Sequence, residues 1–118
     1  PQGKTEKKIL LLFHTLQMKL AHNLVGGSVK MADNSVGQLR RSAVSVPSNI
    51  AEGACRGSKK DFIRFLMIAR GSLGEIETQS YLAKDLGYLE GLDEIINLTN
   101  RVFRLICGLI SSLNTVKS

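Results

Sequence analysis

Apolar residues recur along this chain every three or four positions, between short polar breaks that carry glycine. That spacing is the period of an α-helix with one buried face. It occurs four times. From about residue 5 to 23, Ile9, Leu12, Phe13, Leu16 and Leu20 share a stripe, with Lys8, Thr15, Lys19 and His22 away from it. Val25-Gly26-Gly27-Ser28 is expected to end this helix, because paired glycines make its continuation costly. From about 34 to 55, Val36, Leu39, Ala43, Val46, Ile50 and Ala54 form a second stripe, with capping residues at Asp33-Asn34-Ser35. Pro47 interrupts it and leaves the Ala43 carbonyl without its usual donor. The pattern resumes in phase, which predicts one continuous helix kinked at Pro47, with Ser42 and Ser45 satisfying backbone groups around the kink. Gly53 and Gly57 read as loosening the chain before a stop near Cys55.

The third segment, about 58 to 87, has the clearest boundaries. Ser58 is a good N-cap, Asp61 stands three residues on, and Gly87 is a natural stop. Phe62, Leu66, Ala69, Leu73, Ile76, Ser80 and Ala83 alternate in steps of four and three, the seam spacing of left-handed bundles. Ile63, Phe65, Met67 and Ile68 fall off that seam. A helix apolar on several faces needs more than one cover, and a second subunit is the expected one. In the fourth segment, about 92 to 114, Leu92, Ile95, Ile96, Val102, Phe103, Ile106, Leu109, Ile110 and Leu113 make a broad stripe. Asp93, Glu94, Asn97, Asn100, Arg101 and Arg104 oppose it. Leu98 and Leu105, to one side, read as a further hint of an intersubunit contact. Strand alternation and Asn-Gly or Asp-Gly turns are missing. The expected fold is all-α: one domain over residues 1–118, an antiparallel up-down-up-down four-helix bundle.

Composition adds limits. At 118 residues, 43% hydrophobic and 22% charged, the chain can build one core. No uncharged apolar run approaches the roughly 18–20 residues of a membrane span. The basic opening from Gly3 to Lys8 lacks the uninterrupted apolar run and cleavage site of a secretion signal. Pro1 in place of a Met is expected of a trimmed start. Cys55 and Cys107 have no metal or redox spacing and read as small core residues of a reducing compartment. A cytoplasmic protein is therefore expected, with no membrane partner. The net charge of +6 is uneven: residues 1–60 hold 10 basic and 3 acidic residues, residues 61–118 hold 6 and 7. Such a basic half either attracts a polyanion, nucleic acid above all, or only keeps the protein soluble.

Catalytic and metal patterns are missing. Di-iron bundles need Glu-x-x-His pairs; Glu52, Glu75 and Glu77 have no His at that offset, and His14 and His22 lie eight apart on the first helix. Gly71-Ser72-Leu73-Gly74 lies within a helix and reads as close helix packing. No metal, cofactor or catalytic residue is expected. Two polar sets remain. Ser45, Ser48, Asn49 and Glu52 share a face of the second helix, and Ser72, Glu75, Thr78 and Gln79 one of the third; facing each other, they would form an interhelical network. A basic patch joins Arg40 and Arg41 on the second helix to Arg56, Lys59, Lys60 and Arg64, which bracket the loop into the third, where exposed N–H groups also favour phosphate.

The run Gln38-Leu39-Arg40-Arg41-Ser42-Ala43-Val44-Ser45-Val46-Pro47-Ser48-Asn49-Ile50-Ala51-Glu52-Gly53 resembles a family signature. So do Ser58 to Leu66, Ala69 to Gln79, and Asp85-Leu86-Gly87-Tyr88-Leu89. They resemble the four helix bundle protein family, first met in reading frames within intervening sequences of bacterial 23S ribosomal RNA genes. The match is close over residues 36–89 and extends to the last helix in pattern. It departs at Val29 to Ser35, where the family shows a Phe-Pro turn and a Tyr-Gly-Leu, so the first helix rests on its own periodicity. The resemblance implies a bundle assembling as a ring-like homopentamer, without known catalysis. A more distant similarity, to the accessory variability protein of diversity-generating retroelements, implies a basic pentamer that binds nucleic acid and a reverse transcriptase. On that reading the six cations named above supply phosphate contacts to RNA or DNA. Two other readings stand beside it: an adaptor oligomer recruiting another protein, and a small-molecule site using Glu52, Glu75 and Gln79.

Overall fold

The computed structural model of the protein describes residues 2–24 and 33–115. Four helices follow one another: α1 (Gln2–Asn23), α2 (Asp33–Cys55), α3 (Lys59–Asp85) and α4 (Leu92–Thr115). Each runs antiparallel to the one before it, in a bundle about 52 Å long and 22 by 18 Å across. α2 packs on α3, α3 on α4 and α4 on α1, while α1 and α2 touch only lightly. α1 begins three residues before its apolar stripe predicts. The expected stop at Val25-Gly26-Gly27-Ser28 lies outside the described residues, as does the departure from the family pattern at Val29 to Ala32.

The seams predicted from spacing form the core. Ile9, Phe13, Leu16 and Leu20 of α1, Leu39, Val46 and Ile50 of α2, and Leu66, Leu73 and Ile76 of α3 are buried together with Ile95, Val102 and Ile106 of α4. Several positions differ. Phe65, off the predicted seam, is buried within the chain against Gly53 of α2, and Leu105 and Ile63 pack partly buried against the chain's own core. Ala54 is exposed, because it lies in the last turn of α2 beyond the body of the core. Phe103 is 39% exposed at the edge of its stripe, whereas Leu98 is buried in the chain's own core and marks no outer contact. One more step of 100° around the helix separates a covered position from an open one.

Local chemistry explains the boundaries. Ser58 Oγ accepts the Asp61 N–H at 3.1 Å and starts α3. α3 ends with Gly87 at φ +83°, with Gly87 N–H donating to the Lys84 carbonyl and Tyr88 N–H to the Ala83 carbonyl. This paired closure uses a left-handed residue that glycine adopts without strain. Glu90 N–H then donates to the Asn23 carbonyl at 3.0 Å, tying the α3–α4 loop to the end of α1. α2 continues through Pro47 as one helix.

Gly53 does not loosen α2. It is buried, and a β-carbon there would lie 2.7 Å from Phe65 Cβ and 3.0 Å from Phe62 Cδ1. Its missing side chain is what lets α2 and α3 approach. Gly71 and Gly74 are the reverse of what the sequence implies: both face open space, and Gly74 borders a small hollow of about 100 Å³ between α3 and α4.

Candidate nucleic-acid interface

The α2–α3 turn is three residues long, Arg56-Gly57-Ser58, with Gly57 at φ +83°. So short a connection brings the last turn of α2 and the first of α3 side by side. Arg56, Lys59, Lys60 and Arg64 are all exposed there. Arg56 Nε donates to Glu52 Oε2 at 2.9 Å, and its guanidinium carbon lies 5.1 Å from the Phe65 ring centre. Arg64 lies 4.6 Å from the same ring centre and 3.7 Å from Asp61. Phe65, 9% exposed, thus holds two guanidiniums within about 10 Å of one another by cation–π attraction. Each carboxylate occupies only part of its arginine's five-donor fork, so N–H groups remain for a phosphate.

The other two predicted cations are elsewhere. Arg40 and Arg41 lie in the first half of α2, about 23 Å from Arg56 at 1.5 Å per residue. The bundle supplies three that the sequence reading passed over. The up-down topology returns the start of α1 to the α2–α3 turn. Glu6 shares a surface cavity of about 300 Å³ with Gly53, Gly57, Ser58 and Lys59. Lys4, Lys7 and Lys8 are therefore at this end of the bundle, all exposed. The signal was available in the basic opening, once an antiparallel first helix is laid against the second turn. Counting Lys4, Lys7, Lys8, Arg56, Lys59, Lys60 and Arg64 against Glu6, Glu52 and Asp61, this end carries +4. The stretch from Lys84 to Glu94, at the far end, holds one base against Asp85, Glu90, Asp93 and Glu94.

The polar sets on α2 and α3 meet only in part. Ser72 Oγ donates to Ser45 Oγ at 2.8 Å, and Asn49 Nδ2 donates to the Ser45 carbonyl at 2.7 Å and to Ser45 Oγ at 2.9 Å. Ser42, read from sequence as a backbone partner near Pro47, instead donates to Glu75 Oε1 at 3.2 Å. Ser48 and Thr78 face solvent, and Gln79 Oε1 and the fully buried Ser80 Oγ have no partner among the described residues. Glu52 and Glu75 are exposed and occupied by different residues, Arg56 and Ser42, so they do not converge on one pocket. Neither cysteine is a core residue. Cys55 is exposed, and Cys107 is half-buried with Arg70 Nη1 3.9 Å from its sulfur. His14 and His22 are exposed on α1. Among the described residues no group of His, Cys, Asp and Glu could hold a metal ion, and no helix is long and apolar enough to cross a membrane.

No curated protein matches the chain in sequence. A crystal structure from Bacteroides thetaiotaomicron, of a protein of unknown function from the S23 ribosomal protein family, has the same fold. It is 22% identical, with a TM-score of 0.70 over 93% of this chain and 97% of that one. The sequence model of the 23S rRNA-intervening sequence proteins matches residues 19–108, which spans the last turn of α1, all of α2 and α3, and most of α4. With most of its length so matched and its helices so arranged, the chain belongs to the 23S rRNA-intervening sequence protein family.

Proposed function

We propose that this protein is a non-enzymatic, oligomeric, cytoplasmic protein that holds RNA or DNA electrostatically through its basic surface. The observation that carries this reading is the gathering of Arg56, Lys59, Lys60 and Arg64 around one short turn, two of them stacked on Phe65. Arg40 and Arg41 extend the surface along α2. Phosphate contacts of this kind release counterions, so binding weakens steeply with salt and reads little sequence. Retention of RNA in a salt titration is the test. A log–log slope near zero, or no retention at low salt, defeats the reading.

Self-association belongs to the same proposal. The outer side of α3 leaves Met67 and Ile68 48% and 43% exposed, on a groove of about 480 Å³ shared with Lys60, Ile63 and Arg64. Tyr81 and Leu82 are also exposed, farther along α3. A neighbouring copy would cover it, and a closed ring would repeat the basic end in each copy so that phosphate contacts sum. Five copies, a bend of α2 at Pro47 and kinship with the accessory variability protein are the further content of the family reading. Light scattering measures the mass of the assembly. The adaptor reading rests on the same exposed α3 surface; a protein partner that stays bound after nuclease treatment would favour it.

A further inference from the structure

Three exposed lysines crowd one stretch of α1: Lys4 and Lys8 stand four apart, and Lys4 and Lys7 three apart, so like charges repel along one side of the helix. Local choices that cost stability concentrate where a ligand compensates them. Here the fold sets this segment beside a turn that is already cationic, with Glu6 and Lys59 lining one cavity.

The same end offers no ring to a base. Phe62 is buried, and Phe65 is buried beneath Arg56 and Arg64. The exposed rings are Tyr81, more than twenty residues along α3 from its start, and Phe103 on the flank of α4. Single strands are gripped by stacking on aromatic side chains. A base-paired helix hides its bases and presents about one charge per 1.7 Å of axis.

Resting on the nucleic-acid reading above, we infer that the basic end of the bundle is a docking surface for the phosphate backbone of double-stranded nucleic acid, and that Lys4, Lys7 and Lys8 of α1 are part of it. The surface grips phosphates with Arg56 and Arg64 on one side and the α1 lysines on the other, and it reads charge density rather than sequence.

The test is fluorescence anisotropy with a labelled RNA duplex of about 16 base pairs, the length spanned by a shape-reading module, and with one of its strands alone. Wild type is compared across salt with a Lys4→Gln, Lys7→Gln, Lys8→Gln variant. A second variant, Lys84→Gln, Arg101→Gln, Arg104→Gln, removes equal charge elsewhere; circular dichroism checks that both are folded. Each lost phosphate contact lowers the salt slope by about 1, so the α1 variant is expected to lose about 2–3 units of slope. The control variant keeps the wild-type slope, and the duplex binds more tightly than the single strand. An unchanged slope in the α1 variant, an equal loss in the control, or preference for the single strand overturns the inference while leaving the nucleic-acid reading standing. A wild type that binds neither probe removes both.

Discussion

One end of the bundle is closed by the turn Arg56-Gly57-Ser58 beside the start of α1, the other by the loop from Leu86 to Gly91 beside the end of α1. Both use glycines at positive φ, yet they are held differently. The far end is sewn together by backbone: Glu90 N–H reaches the Asn23 carbonyl, Leu24 and Leu89 form a bridge, and Gly91 sits against the Asn23 amide. Lys19 and Glu94 add an ion pair at 3.2 Å. The near end has its close approach inside, where Gly53 meets Phe62 and Phe65, and its surface is given over to cations. The contrast teaches that charge in this fold is sorted by end. The basic half of the sequence shows only that there is an excess; the antiparallel bundle, which puts residue 6 beside residue 57, decides where it gathers.

Packing at the near end gives the largest expected effect. Gly53→Leu forces a side chain into the α2–α3 contact and is expected to cost about 1–3 kcal/mol by urea denaturation. Gly71→Ala, facing open space in a helix, is expected to gain up to about 1 kcal/mol instead. A neutral Gly53→Leu would mean that the helices are not in close contact there. At the far end, Gly91→Ala sets an L-residue at φ +68° against Asn23. A loss of about 1–2 kcal/mol is expected in the same assay, and no loss would show that the loop is not pinned to α1. Ser58→Ala removes the cap that starts α3 and is expected to cost about 1 kcal/mol. Ser80→Ala, which deletes a buried hydroxyl without a partner, is expected to stabilise by about 1 kcal/mol; destabilisation would reveal a hydrogen bond at that site. Smallest is the effect of the three α1 lysines on stability. Their replacement by Gln is expected to change it by less than about 0.5 kcal/mol, since they are exposed. A large loss would make them structural and collapse the distinction between the two ends.

Most of the fold was legible. The caps of α3 are local chemistry: Ser58, Asp61 and Gly87 act within a few residues of themselves, so their roles follow from sequence alone. The α3 seam, Phe62 through Ala83, is buried at every position, because six steps of four and three can face only one way. Glycines were not legible. Gly53, Gly71 and Gly74 look alike in sequence, and only the rotation of each helix against its neighbour decides which bare face meets a side chain. The polar network was half legible for the same reason: Ser45 and Ser72 meet, whereas Ser48 and Thr78 lie on their helices' outer sides. Of the basic set, the four cations flanking one turn were found together because they are close in sequence. Lys4, Lys7 and Lys8 were missed because their neighbours in space come from another part of the chain.

The most direct test of the account is lysine footprinting. The native protein is acylated with and without an RNA duplex at low salt, and modification of each lysine is read by mass spectrometry. The account predicts that duplex protects Lys4, Lys7, Lys8, Lys59 and Lys60 while Lys19 and Lys84 react as before. Protection confined to Lys19 and Lys84, or equal protection at Lys19 and Lys84 and at the five lysines of the basic end, would contradict it.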